Sequence, residues 1–195
     1  MSKNYWWVNH NKSFEAESSG NFIWSPKTSS DGKRNESYLN LARTRPGDVV
    51  FSYARSRVQA VGVVTRACTD RTSPHIDNRG GQNWAAQGFF VEVEWVPLTN
   101  PLNQRDHMEL LLPLLPVEHS PLQGSGKSNQ NSYLAAVSEA FADALLGLID
   151  HANVGVSEEV ADRLDEIDAE EETIDPSIEV DPVGGTMRRQ VGLAR

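Results

Sequence analysis

The stretch Phe89–Pro97 restricts the fold of this chain more than any other. Phe89, Val91, Val93 and Trp95 alternate there with Phe90, Glu92 and Glu94. Successive side chains of a strand point to opposite faces, so this two-residue period buries one face and leaves the other mixed. Phe89 and Trp95, on that face, are assigned to the core.

The remaining segments supply partners and cover for such a strand. Tyr5-Trp6-Trp7-Val8 reads as a short buried strand, and Phe22-Ile23-Trp24 as a brief apolar run ended by Ser25-Pro26. Pro46-Gly47-Asp48 signals a turn into a strand over Val49–Tyr53. Arg55-Ser56-Arg57 then connects to a second strand, Val58–Thr65, and the two should pair as a hairpin. The spacing predicts a helix over Asn35–Ala42 and another over Asn129–Ile149, where Tyr133, Leu134, Val137, Phe141, Leu145 and Leu148 recur at near-helical intervals. Asn9–Asn21 reads as a polar loop with room for one helical turn, and residues 69–83 and 98–128 read as loops, the last with prolines at 101, 113, 116 and 121. Ser157 caps a short helix carrying Val160, Leu164 and Ile167, and Glu170–Gly185 has the composition of a disordered linker.

At 195 residues the chain holds one well-packed domain, with or without a tail. The expected division is a domain over 1–153 and an acidic linker with a short helix over 154–195. The net charge of -9 argues against a polyanionic partner until its distribution is considered. Residues 1–135 hold 14 Lys and Arg against 12 Asp and Glu, whereas residues 136–195 hold 4 against 15. The acidity is therefore local, and the first two-thirds permit DNA or RNA without demanding it. No run of 18 apolar residues suggests a membrane span, and the N-terminus lacks the layout of a secretion signal. A single cysteine, Cys68, excludes an internal disulfide and fits a reducing cytoplasm.

Three enzyme classes find no support. Gly124-Ser125-Gly126-Lys127-Ser128 resembles the end of a phosphate-binding loop, but the required first glycine is replaced by Pro121 and no strand precedes it. The five histidines, at 10, 75, 107, 119 and 151, show no metal-ligand spacing. No nucleophile elbow is present. The expectation is a binding module with no catalytic residues, metal or cofactor.

The aromatic residues are more informative. Trp24 borders Ser25-Pro26 where the chain enters a polar loop, Trp84 follows Gly80-Gly81-Gln82-Asn83, and Tyr53 ends a strand at a turn. Rings at strand ends beside polar loops suit a stacking cage for a planar group, worth about 1–3 kcal/mol per stacked base. The alternative for each ring is a place in the core.

Together, several short segments resemble the ordered landmarks of an EVE domain, a relative of YTH and SRA domains in the PUA-like superfamily. These segments are Tyr5–Asn9, Phe22–Pro26, Gly47–Tyr53, Ala60–Val64, Asn83-Trp84 before Phe89–Trp95, and Asn129–Leu134. The resemblance covers about residues 4–150. It implies an α+β fold, a PUA-like twisted β-barrel flanked by helices, with a pocket for a modified base. Trp24 and Ser25 match a Trp-Ser of the YTH relatives in which the Trp walls the cage. Trp84 matches a second cage Trp, and Asn9 a polar residue that contacts the base edge. Ser52 and Tyr53 are expected to border the pocket. Arg55, Arg57, Lys33, Arg34 and Lys127 are the candidates for nucleic-acid contact.

The resemblance further implies a module that captures a flipped 5-methylcytosine or 5-hydroxymethylcytosine from double-stranded DNA. Its setting would be a type IV, modification-dependent restriction system. Domains of this kind are found fused to HNH nucleases, and Arg188-Arg189-Gln190 to Arg195 resembles the lead-in to one. Two alternatives stay open: a YTH-like reader of modified single-stranded RNA, and a PUA-like protein with a structural or small-molecule role.

Overall fold

The computed structural model describes residues 3–28, 32, 35–74, 87–129 and 132–173. The chain forms strand β1 (Tyr5–Asn9), a 3-10 turn, helix α1 (Phe14–Ser19) and strand β2 (Phe22–Pro26). Helix α2 (Glu36–Leu39) and a 3-10 turn lead to β3 (Val49–Ala54), β4 (Arg57–Val64) and β5 (Thr69–Thr72). The long strand β6 (Gln87–Leu102) precedes the short helix α3 (Met108–Leu111). Strand β7 (Leu134–Val137) and helices α4 (Glu139–Ala152) and α5 (Val156–Thr173) complete the described chain.

The strands form one mixed sheet in the order β2-β6-β4-β3-β1-β7, with β5 on β6. The first half of β6 pairs with β2 and β5, from Phe22↔Glu92 to Pro26↔Gly88 and from Thr69↔Phe90 to Thr72↔Gln87. Its second half pairs with β4, from Val64↔Val93 to Val58↔Leu102. One strand thus serves two sets of partners, and the sheet curls into a partial barrel with β2 and β7 as its edges. This is an α+β architecture, a curled sheet with flanking helices, as the resemblance implies.

Alternation sends the aromatic residues of each strand to opposite faces. On the outer face Trp7, Phe51, Tyr53, Val61 and Val96 join Phe141, Leu145 and Ile149 of α4 and Val156 and Val160 of α5 in one cluster. On the inner face Trp6, Val8, Ile23, Val50, Val93 and Trp95 form a second. Phe22, Trp24 and Phe90 form a third. Asp48 anchors the β1–β3 junction: its buried carboxylate accepts from Trp6 Nε1 at 2.8 Å and from the backbone N–H groups of Asn4 and Arg45 at 3.0 Å each. A buried carboxylate is tolerated only with such donors.

The hairpin β3–β4 is observed, and β6 contains the alternating strand with longer ends. The helix expected over Asn129–Ile149 divides instead. Leu134–Val137 pairs antiparallel with β1, Tyr5↔Val137 to Val8↔Leu134, and the helix starts only at Glu139, where the Ser138 side chain accepts from Phe141 N. Residues 69–72 form an edge strand rather than loop. Phe89 is half-buried against the inner cluster instead of enclosed by it, with Lys27 Nζ 5.6 Å from its ring centre. The C-terminal helix is longer than expected, and its Val156 and Val160 belong to the main core. Among the described residues, no helix is long and apolar enough to cross a membrane.

Candidate functional site

The site is built where the two edges of the curled sheet approach each other. Trp24 ends the apolar part of β2, and its indole lies across Gly88 of β6. A Cβ at position 88 would come within 2.4 Å of the Trp24 ring and of Ser25 O, so only glycine admits this ring. Trp24 is fully enclosed, and its Nε1 donates to Arg71 O of β5 at 3.2 Å. The four residues of β5 are all exposed, and Arg71 also stacks its guanidinium 4.0 Å from the Phe90 ring centre.

Beside Trp24 a chain of buried polar groups crosses the gap between β2 and β7. The Trp24 backbone N–H donates to Tyr133 Oη at 3.2 Å, and Tyr133 Oη donates to Glu17 Oε2 at 2.6 Å. His10 Nε2 lies 3.1 Å from the same oxygen, too bent for a hydrogen bond but close enough for an ion pair when the ring is protonated. His10 Nδ1 meets Ser52 Oγ at 2.8 Å. The side chains of His10 and Glu17 are 0% and 1% exposed. Burial and then the charge of Glu17 push the Tyr133 phenol well above its ordinary pKa, so it remains a hydroxyl donor. Trp95 packs edge-on against His10 with ring centres 5.3 Å apart.

Ser25 follows Trp24 in β2. It is 1% exposed, and its Oγ has no hydrogen-bond partner. A buried hydroxyl without a partner costs about 1–3 kcal/mol, and such a group in a folded protein calls for an explanation.

Of the expected pocket residues, the structure joins Ser52 to Trp24 through the His10–Glu17–Tyr133 chain, and Ser25 is the next residue along β2. Asn9 stands at its margin: its Nδ2 donates to Ser128 Oγ and, at 3.3 Å, to Asn129 O. Tyr53 does not share the site. One residue on from Ser52, it faces the outer cluster and packs on Trp7 at 5.3 Å between ring centres. Trp84, Lys33 and Arg34 lie outside the described residues. Arg55 is exposed, pairs with Glu15 and lies over the Phe14 ring, whereas Arg57 reaches only Pro101 O at 3.3 Å. Lys127 is exposed on a turn beside Asn9.

His10, Glu17 and Tyr133 escaped the reading of the sequence as site residues. Tyr133 stands within the landmark Asn129–Leu134, and His10 directly follows Asn9, so adjacency was their only signal. Glu17 carried none, because Asn9–Asn21 reads as a polar loop. Burial pushes the Cys68 thiol up to about 11, a backbone hydrogen bond at Phe90 lowers it by less, and nearby Asp70 raises it a little, so little thiolate is present near neutral pH. Among the described residues no cluster of His, Cys, Asp and Glu could hold a metal ion.

No protein-family model matches the sequence, and no curated protein matches it. Among solved structures, a hypothetical protein from Leishmania major is 12% identical with a TM-score of 0.51, the likeness covering 77% of this chain and 96% of that one. The YTH domain of Zygosaccharomyces rouxii MRB1, in complex with N6-methyladenosine RNA, is 12% identical with a TM-score of 0.47, covering 77% and 89%. Human THYN1, in complex with DNA containing 5-methylcytosine, is 12% identical with a TM-score of 0.41, covering 76% and 98%. At these identities the likeness concerns the fold alone, and the Leishmania major protein shares it.

Proposed function

We propose that this chain is a reader of a modified nucleobase, of the EVE kind, that takes a flipped 5-methylcytosine or 5-hydroxymethylcytosine from double-stranded DNA. The observation that carries this reading is the buried Ser25 hydroxyl, one residue on from Trp24 in β2, which has no hydrogen-bond partner. A buried polar atom without a partner suits a ligand that brings a polar edge to it. Extruding a base costs a few kcal/mol, which stacking and edge hydrogen bonds must recover. Trp24 would provide the stacking face and Ser25 an edge contact. The Ser52–His10–Glu17–Tyr133 chain would hold that wall rigid from behind. A base reaches Trp24 only when β5 moves aside, and β5 is suited to this, being a four-residue exposed edge that pairs with a single strand. In this reading the chain supplies recognition and does no chemistry. Its biological setting would be the targeting of a type IV restriction nuclease, with cleavage carried out by an HNH domain of the same protein.

The test is binding of the whole chain to three duplexes of one sequence, carrying cytosine, 5-methylcytosine or 5-hydroxymethylcytosine, at one fixed salt concentration. A single-stranded RNA with and without N6-methyladenosine forms the parallel arm. Tighter binding to a modified duplex supports the proposal, and Ser25→Ala should shrink that preference. Equal affinity for the three duplexes overturns it, and a preference confined to methylated RNA replaces it with an RNA reader.

A further inference from the structure

The loop that resembles part of a phosphate-binding motif has a different structural role. Leu122 and Ser128 form an isolated bridge, Gln123 N donates to Lys127 O at 2.7 Å, and Gly126 N donates to Gln123 O at 2.8 Å. Gly126 sits at φ +74°, the left-handed conformation that this closure requires. The turn is fixed at three points. Buried Gln104 donates from Nε2 to Gly126 O at 2.7 Å, Asn129 Nδ2 donates to Ser120 O at 2.7 Å, and Asn9 donates to Ser128 Oγ. It is a preformed tab, tied on one side to Asn9 at the end of β1, at the margin of the candidate site.

Its charges are distinctive. Lys27, Arg43, Arg55, Arg66 and Arg71 are each paired with a carboxylate. Among the described residues Lys127 and Arg105 have no ion-pair partner, and Arg57 touches only a carbonyl. Arg105 meets the turn that carries Lys127, and Arg57 bonds the end of the strand that leads to Arg105. Arg57 bonds Pro101 O, Pro101 lies four residues before Arg105, and a Cβ on Gly126 would come within 2.9 Å of Arg105 Cγ. Neighbouring Asp106 accepts from Asn103 Nδ2 at 2.8 Å. Lys3, Lys12 and Arg45 are unpaired too, but no described contact brings them to this turn.

We infer that the Leu122–Ser128 turn is a clamp for a nucleic-acid backbone, with Lys127, Arg105 and Arg57 taking the phosphates that flank the nucleotide read at the pocket. Arg105 is thereby assigned a role that neither its sequence context nor the pocket suggests. The inference rests on the reader proposed above, but concerns charge, not base identity. A rigid turn costs little ordering when it meets a phosphate, and an unpaired cation need not first break an ion pair.

The experiment measures binding of the whole chain to plain and 5-methylcytosine duplexes across a salt series, for the wild type, Arg105→Ala/Lys127→Ala, and Arg163→Ala as a control on α5. Each phosphate contact contributes about 0.9 to the slope of log K against log salt on B-DNA. The double variant should therefore flatten that slope by about 1.8 while keeping the wild-type ratio of modified to plain affinity, and Arg163→Ala should change neither. An unchanged slope in the double variant overturns the clamp, even if the base preference stands. A flattened slope without any base preference in the wild type keeps the clamp and overturns the reader. No binding of either duplex overturns both.

Discussion

Tyr133 joins the two edges of the sheet through one oxygen. Its hydroxyl accepts from the backbone of β2 and donates to a buried carboxylate, and its own backbone carbonyl accepts from Asn9 N at 2.7 Å. Tyr133→Phe keeps the ring and removes only that oxygen. The expected cost is about 1–3 kcal/mol, the range for taking a partner away from buried polar groups. It would be read as a lower urea midpoint with an unchanged m-value. A midpoint equal to wild type would mean that the Glu17–Tyr133–Trp24 chain is incidental to the fold.

At the scale of elements, β6 carries the most consequence, because it pairs with β2, β5 and β4 and so sets the curl. Gly88 is its narrowest point, under the Trp24 ring. Gly88→Ala should cost about 1–3 kcal/mol as an overpacked contact and displace Trp24. Reduced thermal stability with a changed tryptophan emission maximum is the expected result; full stability with an unaltered spectrum would show the ring free to shift at no cost. The alternation in Phe89–Trp95 and the turn before Val49 announced their strands, because half-buried strands write their period into the sequence. Leu134–Val137 did not, since Leu-Ala-Ala-Val followed by Phe141 and Leu145 suits helical spacing equally well. Pairing with β1, 125 or more residues away, decides its state, and local propensity yields to such pairing. The residues of the candidate site were legible to the same degree. Trp24 and Ser25 stand out as an aromatic and a polar residue at a strand end, whereas the Glu17–Tyr133 contact spans 116 positions and leaves no local trace. Tyr53 shows the reverse: a strand end beside a turn was visible, but the face it takes depends on the register with β4.

For the molecule as a whole, the packed unit includes α5. Val156 and Val160 are buried on the outer face, with Leu164 and Ile167 packed beside them. Ending the chain after residue 168 should leave the melting temperature nearly unchanged, whereas ending it after residue 155 strips these side chains and should lower it by several degrees. Calorimetry of the two truncations checks this, and equal melting temperatures would show α5 to be dispensable. The placement of α5 has an electrical consequence. Seven exposed acidic side chains, from Glu158 to Glu170, line a helix on the outer face of the sheet, and Arg163 is the only basic residue among them. Within about 8–10 Å of that surface, roughly one screening length, a polyanion is pushed away. For the nucleic-acid partner proposed above, the lopsided field would act as a rudder, turning the molecule during encounter so that the face without α5 meets the negatively charged strand first.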